Sequence, residues 1–288
     1  MKRPLAPLLV LLCVVVSSYA QYMYVKPIDV PGADWTAPSS VNNRGTIVGA
    51  YSQGMNGYGF LLSKNTWTSF DKPDVIWGLN DHGDMVGNYP ADNGHRDGFL
   101  LRKGTFTTLN FPGADYTLPI SINNAGTVVG YYQIFANSTL HGFIWKDGQF
   151  TDYIYPGAGY LFFTDVTEQG ELIGFWWNDL GACDNFLMAP SGKYVSVNAP
   201  WADPCAQQIS KSNPQKDIVG GYFDENGMVR GYAFVRGEFQ KLDVPDSVQT
   251  VPWDINASGQ ITGWYTASDF VLHGFLAQPE SEGKPTPQ

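Results

Sequence analysis

The chain has 288 residues, a formal net charge of −10, 32 glycines, 15% aromatic and only 15% charged residues. A chain this acidic lacks the positive footprint that phosphate backbones demand, which excludes nucleic acid as a partner. Many glycines and rings with few charges suit short strands, tight turns and aromatic packing between sheets.

In chain order, Lys2 and Arg3 precede the apolar run Leu8–Val16, and Ser18-Tyr19-Ala20 places small residues where a signal peptidase reads. Residues 1–20 are therefore expected to be a secretory signal peptide cleaved after Ala20, too short to span a membrane. No later stretch is apolar for long enough to cross one, so a soluble extracellular or periplasmic chain, monomeric, is expected.

From residue 21 the sequence repeats. Six prolines (Pro31, Pro73, Pro112, Pro156, Pro200, Pro245) each end an aromatic or apolar run. Six glycines (Gly49, Gly87, Gly130, Gly174, Gly220, Gly263) follow a branched pair, and six aromatics (Phe60, Phe99, Phe143, Phe186, Tyr232, Phe275) come next. The order recurs at roughly 40 to 45 residues. Within a copy, "SINNAGTVVGYY" reads as two short strands around an Asn/Gly turn, and "GFLLRKGTFTTLNFP" as a second hairpin around Lys103-Gly104. Four strands per copy predict an all-β fold, a six-bladed β-propeller with four-stranded blades over 21–278. The first copy is preceded by a lone fourth strand, "YMYVKPIDVP", and the last copy lacks its fourth strand. The ring is thus expected to close by pairing the N-terminal strand in the last blade, which removes two sheet edges. The polar tail 279–288 is expected to be disordered.

The segments "FTTLNFPGA" (106–114), "INNAGTVVGYY" (122–132) and "HGF" (141–143) resemble the HAF extracellular repeat of bacteria. The resemblance runs from Val25 to about Gln278. Copies four ("VTEQGELIG") and five ("NPQKDIVGG") depart from it, Lys216 standing where the turn glycine belongs. It implies an extracellular or envelope location and a propeller-like fold, and it lends no catalytic residues.

Motifs for nucleophilic, zinc or phosphate chemistry are absent from the sequence. His141 and His273 precede Gly-Phe in equivalent copies and read as repeat-encoded turn residues. "DNGHRDG" (92–98) and "DENG" (224–227) only faintly resemble calcium loops. In a propeller the first strand of each blade lines the central channel. The residue before its apolar anchor reads Ser40, Gly78, Ser121, Asp165, Gln208 and Asp254. Asp165, Gln208 and Asp254 are the channel candidates: paired carboxylates on one ring suit a Ca2+ ion or an acid/base pair, against the simpler reading that they bond strand ends and water. A second candidate set is the aromatic after each proline loop, Trp35, Trp77, Tyr116, Tyr160 and Trp201, which a rim would present for stacking on sugar rings. Cys183 and Cys205, the cysteines left after cleavage, lie in loops that a propeller brings to one face, and a disulfide between them is expected.

The main functional expectation is a non-enzymatic secreted or cell-envelope binding module for a glycan or a surface protein. The alternatives are a lactonase- or lyase-like enzyme with a metal in the channel, and a structural envelope or matrix protein.

Overall fold

The chemistry of the turns sets the strands. Lys64-Asn65, Lys103-Gly104, Asp147-Gly148 and Arg236-Gly237 each put two successive residues at positive φ. That is the two-residue hairpin whose twist matches the flanking strands. At the other turn of each repeat an Asn side chain does the work. Asn42 Oδ1 accepts the backbone N–H of Arg44 and of Thr46, both at 3.0 Å, and Asn256 serves Ser258 and Gln260 in the same way.

The computed structural model describes residues 22–279 apart from 93, 138, 156 and 158. Strand β1 (Tyr22–Ile28) stands alone in sequence. The rest fall into consecutive antiparallel groups. The first is β2 (Trp35–Val41), β3 (Ile47–Gln53), β4 (Asn56–Ser63) and β5 (Thr66–Phe70). The second is β6 (Val75–Leu79), β7 (Met85–Pro90), β8 (Arg96–Arg102) and β9 (Thr105–Leu109). The third is β10 (Tyr116–Ile122), β11 (Val128–Ile134), β12 (Thr139–Lys146) and β13 (Gln149–Tyr153). The fourth is β14 (Tyr160–Val166), β15 (Leu172–Trp177), β16 (Cys183–Met188) and the short β17 (Tyr194–Ser196). The fifth is β18 (Gln207–Ser212), β19 (Ile218–Phe223), β20 (Val229–Val235) and β21 (Glu238–Lys241). The last is β22 (Gln249–Ile255), β23 (Ile261–Thr266) and β24 (Leu272–Pro279), with β1 as its fourth member. Single parallel bridges, Tyr116 to Arg96 and Leu140 to Tyr160, join the second, third and fourth groups.

The pairing of β1 with β24 runs from Tyr22–Pro279 to Ile28–Gly274. Pro279 therefore ends a strand, where the sequence suggested that a tail begins. The expected signal peptide, the remainder of the tail (280–288) and the landmark Pro156 lie outside the described residues. Among the described residues no helix is long and apolar enough to cross a membrane.

The core lies between neighbouring groups. Val86 and Leu100 of the second group share one cluster with Ile122, Val128, Tyr132 and Phe143 of the third. Ile28, Val30 and Leu276 of the last group share another with Val41, Ile47, Tyr51 and Phe60 of the first. Phe60, Phe99, Phe143, Phe186, Phe275 and Tyr232, one per group, are buried to 2% exposure or less, and Phe163 joins them in the fourth group. Truncating such a ring costs about 3–5 kcal/mol. The glycine that follows the branched pair exists because backbone comes too close. A Cβ on Gly174 would sit 2.0 Å from the Phe162 carbonyl oxygen, and one on Gly49 would sit 2.3 Å from that of Ala37.

Candidate functional site

Each first strand carries a bulge where β2, β6, β10, β14, β18 and β22 lose register with the next strand. A bulge leaves a residue unpaired and re-aims its side chain. The skipped residues are Ser39, Trp77, Ile120, Thr164, Ser210 with Lys211, and Trp253. All but Ser39 line a cavity of about 220 Å³, completed by Tyr131, Phe162, Phe175, Trp177 and Gln208. Its wall is mostly rings. Trp77 and Trp253 lie 5.5 Å apart, and Phe162 stacks on Phe175 at 4.7 Å and on Trp177 at 4.8 Å. Trp77 is fixed by an indole N–H donated to Asn88 Oδ1 at 2.8 Å.

Behind this cavity the same strands end in a polar hollow of about 90 Å³, lined by residues of every group. Here a chain of carboxamides runs from group to group. Asn42 Nδ2 donates to the Asn80 carbonyl at 3.1 Å, Asn80 to Asn123 at 3.1 Å and Asn123 to Thr167 at 3.0 Å. Asn213 donates to Asn256 at 3.3 Å, and Asn256 back to Asn42 at 3.1 Å.

Asp165 and Asp254, predicted for the channel, do come together in this hollow, with Lys211 between the two spaces. Asp254 Oδ2 accepts from Ser40 Oγ at 2.6 Å, the Val41 N–H at 3.0 Å and Lys211 Nζ at 3.5 Å. Asp165 accepts from Ser121 Oγ at 2.6 Å and from the Ser212 N–H at 3.0 Å. Lys211 Nζ also donates across the axis to the Trp77 carbonyl at 3.1 Å. Burial raises the Asp165 pKa above the ordinary carboxylate value, against the pull of Lys211 and Ser121. These residues do not suit a calcium ion. An ammonium already faces Asp254, and serine or backbone donors already face both carboxylates. Among the described residues no three His, Cys, Asp or Glu side chains gather as metal ligands.

Gln208 is a correction. Lys211 holds the place of Ser40, Ser121, Asp165 and Asp254, and Gln208 is exposed on the aromatic side. The sequence misled because the anchor of that copy is the polar Ser212, so the apolar Ile209 was read in its stead.

The rim aromatics do not form one set. Trp77 belongs to the cavity wall. Tyr160 stacks on Trp177 at 5.1 Å, one ring behind that wall. Tyr116 packs edge-on to Phe135 at 5.1 Å, Trp35 pairs with Ser52 in the sheet, and Trp201 meets Tyr222 and Phe239 by its edges. Trp253, Tyr131, Phe162, Phe175, Trp177 and Lys211 were missed. Comparing the copies one column earlier, at Ser39, Trp77, Ile120, Thr164, Ser210 and Trp253, would have found the tryptophan pair.

The other sequence features are structural. His141 Nδ1 lies 3.2 Å from Asp152, and His273 Nδ1 lies 3.0 Å from Asp29, equivalent imidazoles that meet carboxylates from different positions of their copies. Asp224 of the "DENG" turn accepts from Asn226, Met228 and Arg230, and these bonds lower its pKa, the Met228 N–H foremost. Cys183 and Cys205 form a disulfide with Cα atoms 5.3 Å apart. It tethers the loop before β16 to the connection before β18.

No family model matches the chain, and no curated protein sequence is similar to it. Solved structures are similar in shape. The β-propeller domain of the trilobed protease from Pyrococcus furiosus matches with a TM-score of 0.53 at 7% identity, over 88% of this chain and 95% of that one. The fucose-binding lectin of Aleuria aurantia, a six-bladed β-propeller, matches at 0.53 and 12% identity, over 89% and 100%. TolB from Acinetobacter baumannii matches at 0.50 and 11% identity, over 85% of this chain and 55% of that one. The likeness shows an all-β fold of the propeller kind.

Proposed function

We propose that the strand groups are the six blades of one closed propeller, and that the protein is a secreted or cell-envelope carbohydrate-binding module. Closure is supported by the pairing of β1 with β24 and by the Asn256–Asn42 bond, which repeats between last and first groups what Asn42–Asn80 does between neighbours. A proline contact points the same way. A Cβ on Gly274 would meet Pro38 at 2.6 Å, as one on Gly98 would meet Pro119 at 2.7 Å. The disulfide suits an oxidising compartment, in keeping with a cleaved signal peptide and with the extracellular repeat that the units resemble.

One observation carries the binding role: an aromatic cavity of about 220 Å³ at the axis, with Thr164, Ser210, Gln208 and Lys211 as its polar contacts. Flat half-buried rings beside a few polar groups match the two faces of a sugar, one apolar and one hydroxylated. The lectin likeness supports the fold for such a role, and no sugar identity is taken from it. The test is a titration of the protein with a panel of oligosaccharides, read by tryptophan fluorescence and calorimetry. Binding that Trp77→Ala and Trp253→Ala each weaken by about tenfold or more is expected. Binding to no member of the panel, or binding that both variants leave unchanged, overturns the reading.

The polar hollow serves stability in this account. A channel metal enzyme predicts that EDTA lowers the melting temperature and that calcium restores it. We expect no change.

A further inference from the structure

The aromatic cavity does not stop at the axis. Phe175, Trp177 and Gln208 also line a second hollow of about 360 Å³, which runs outward past Asn178, Asp184, Pro204 and the Cys183–Cys205 disulfide. The two spaces lie side by side along Phe175, Trp177 and Gln208, and together we read them as one ring-lined trough from centre to rim. The trough is the site, and the charges around it set the sign of what it takes.

Lys211, at the inner end, is the one basic residue lining either hollow, and Asp254 meets its charge. The outer hollow holds Asp184, already bonded to Tyr194, Ser196 and Asn198. Asp179 and Asp203 flank it and are exposed. The bias extends over the whole face. The connections on this side carry Asp34, Asp115, Asp224, Asp246 and Asp269 against Lys72 and the paired Arg96 and Arg230, while the turns on the far side mix Lys64, Lys103, Lys146, Lys193 and Arg236 with Asp81, Asp147, Glu168 and Asp217. A negative face around a ring-lined trough draws in cations and repels polyanions. Indole faces also attract ammonium groups once these are desolvated.

We propose that the trough binds a cationic glycan, a linear chain of amino sugars with free protonated amines, with ring faces on Phe175 and Trp177 and amines toward Asp179 and Asp203. The inference rests on the carbohydrate reading above and narrows it. Every unit carries an amine, so the chain lies in the outer hollow away from the Lys211 ammonium, and only hydroxyls of its innermost unit reach Gln208.

The test titrates the protein at mildly acidic pH with hexamers of glucosamine, N-acetylglucosamine, glucose and galacturonic acid, and with polylysine. Glucosamine hexamer should bind about tenfold tighter than the acetylated and neutral hexamers, with an advantage that shrinks between low salt and about 0.2 M salt. The double variant Asp179→Asn/Asp203→Asn should lose that advantage and keep the neutral binding, its folding checked by melting temperature. Equal affinity for neutral and cationic hexamers overturns the cationic reading and leaves carbohydrate binding standing. Tightest binding of the uronic acid overturns it in sign, and polylysine binding as well as glucosamine reduces it to charge alone. An advantage that survives the double variant removes it from the trough. Binding to no hexamer overturns the carbohydrate reading and this one together.

Discussion

The two ends of the central axis are made by the same six strands and behave oppositely. At the polar end five of the six copies agree: Asn42, Asn80, Asn123, Asn213 and Asn256 occupy one position and each donates to the backbone of the next copy, while the fourth copy has Thr167 there. At the aromatic end they diverge: Ser39, Trp77, Ile120, Thr164, Ser210 and Trp253 share one bulge position and range from hydroxyl to aliphatic to indole. A run of like carboxamides serves the fit between neighbouring groups. A set of different side chains around one space can hold something asymmetric. The repeat is kept where neighbouring groups must fit, and released around the aromatic cavity.

Lys211 stands where the two ends meet, and its loss should have the largest effect. Lys211→Ala leaves Asp254 buried with its ammonium gone, a loss of about 3–5 kcal/mol. Urea denaturation measures it, and the double variant Lys211→Met/Asp254→Leu should recover much of the loss. Equal losses for the single and double variants would show that the pair does not act as a unit.

The aromatic end depends more on its tether. Replacing Cys183 and Cys205 by Ser removes a crosslink with a sequence separation of 22, worth about 3 kcal/mol in the chain-entropy model. Thermal melts with and without reductant should show the same drop in the native protein and none in the variant.

At the polar end Asn256→Ala removes one link of the carboxamide chain and the acceptor for two turn N–H groups. A loss of about 1–3 kcal/mol with unchanged ligand affinity is expected. A fall in affinity without a fall in stability would show that the two ends are not separate in role.

The smallest effect concerns pH. Burial raises the Asp165 pKa, so the folded state holds that proton more tightly than the unfolded chain does. Its contribution to stability is complete below the unfolded value of about 3.9 and fades as pH rises through the higher folded value. Asp165→Asn carries no such proton. Relative to this variant, the native protein should therefore be most stable in acid and lose ground toward neutrality. Parallel stability curves across that range would remove Asp165 as the source.

The same division explains what the sequence made legible. Turn residues and the Gly–Phe pairs are dictated by local geometry, so the strand order and the pairing of β1 with β24 could be read from spacing alone. The disulfide followed from the same loop placement. The bulge residues could not be read this way, because a bulge breaks the alternation that tells an inward side chain from an outward one. Spacing alone therefore puts Trp77 on the rim and gives no sign of Trp253. Lys211 was hidden by Ser212, a polar residue in an anchor position. Phe162, Phe175 and Trp177 looked like ordinary core in the copy that departs most from the pattern.

The pairing of β1 with β24 also sets a timetable. During synthesis β1 is made before every other strand of the fold and its partner β24 after them. The last group therefore cannot form until nearly all of the chain has been made. Contacts so distant in sequence make for slow folding. Until β24 has been made β1 has no strand to pair with, so the pairing that spans the most sequence in the fold waits on the last strand.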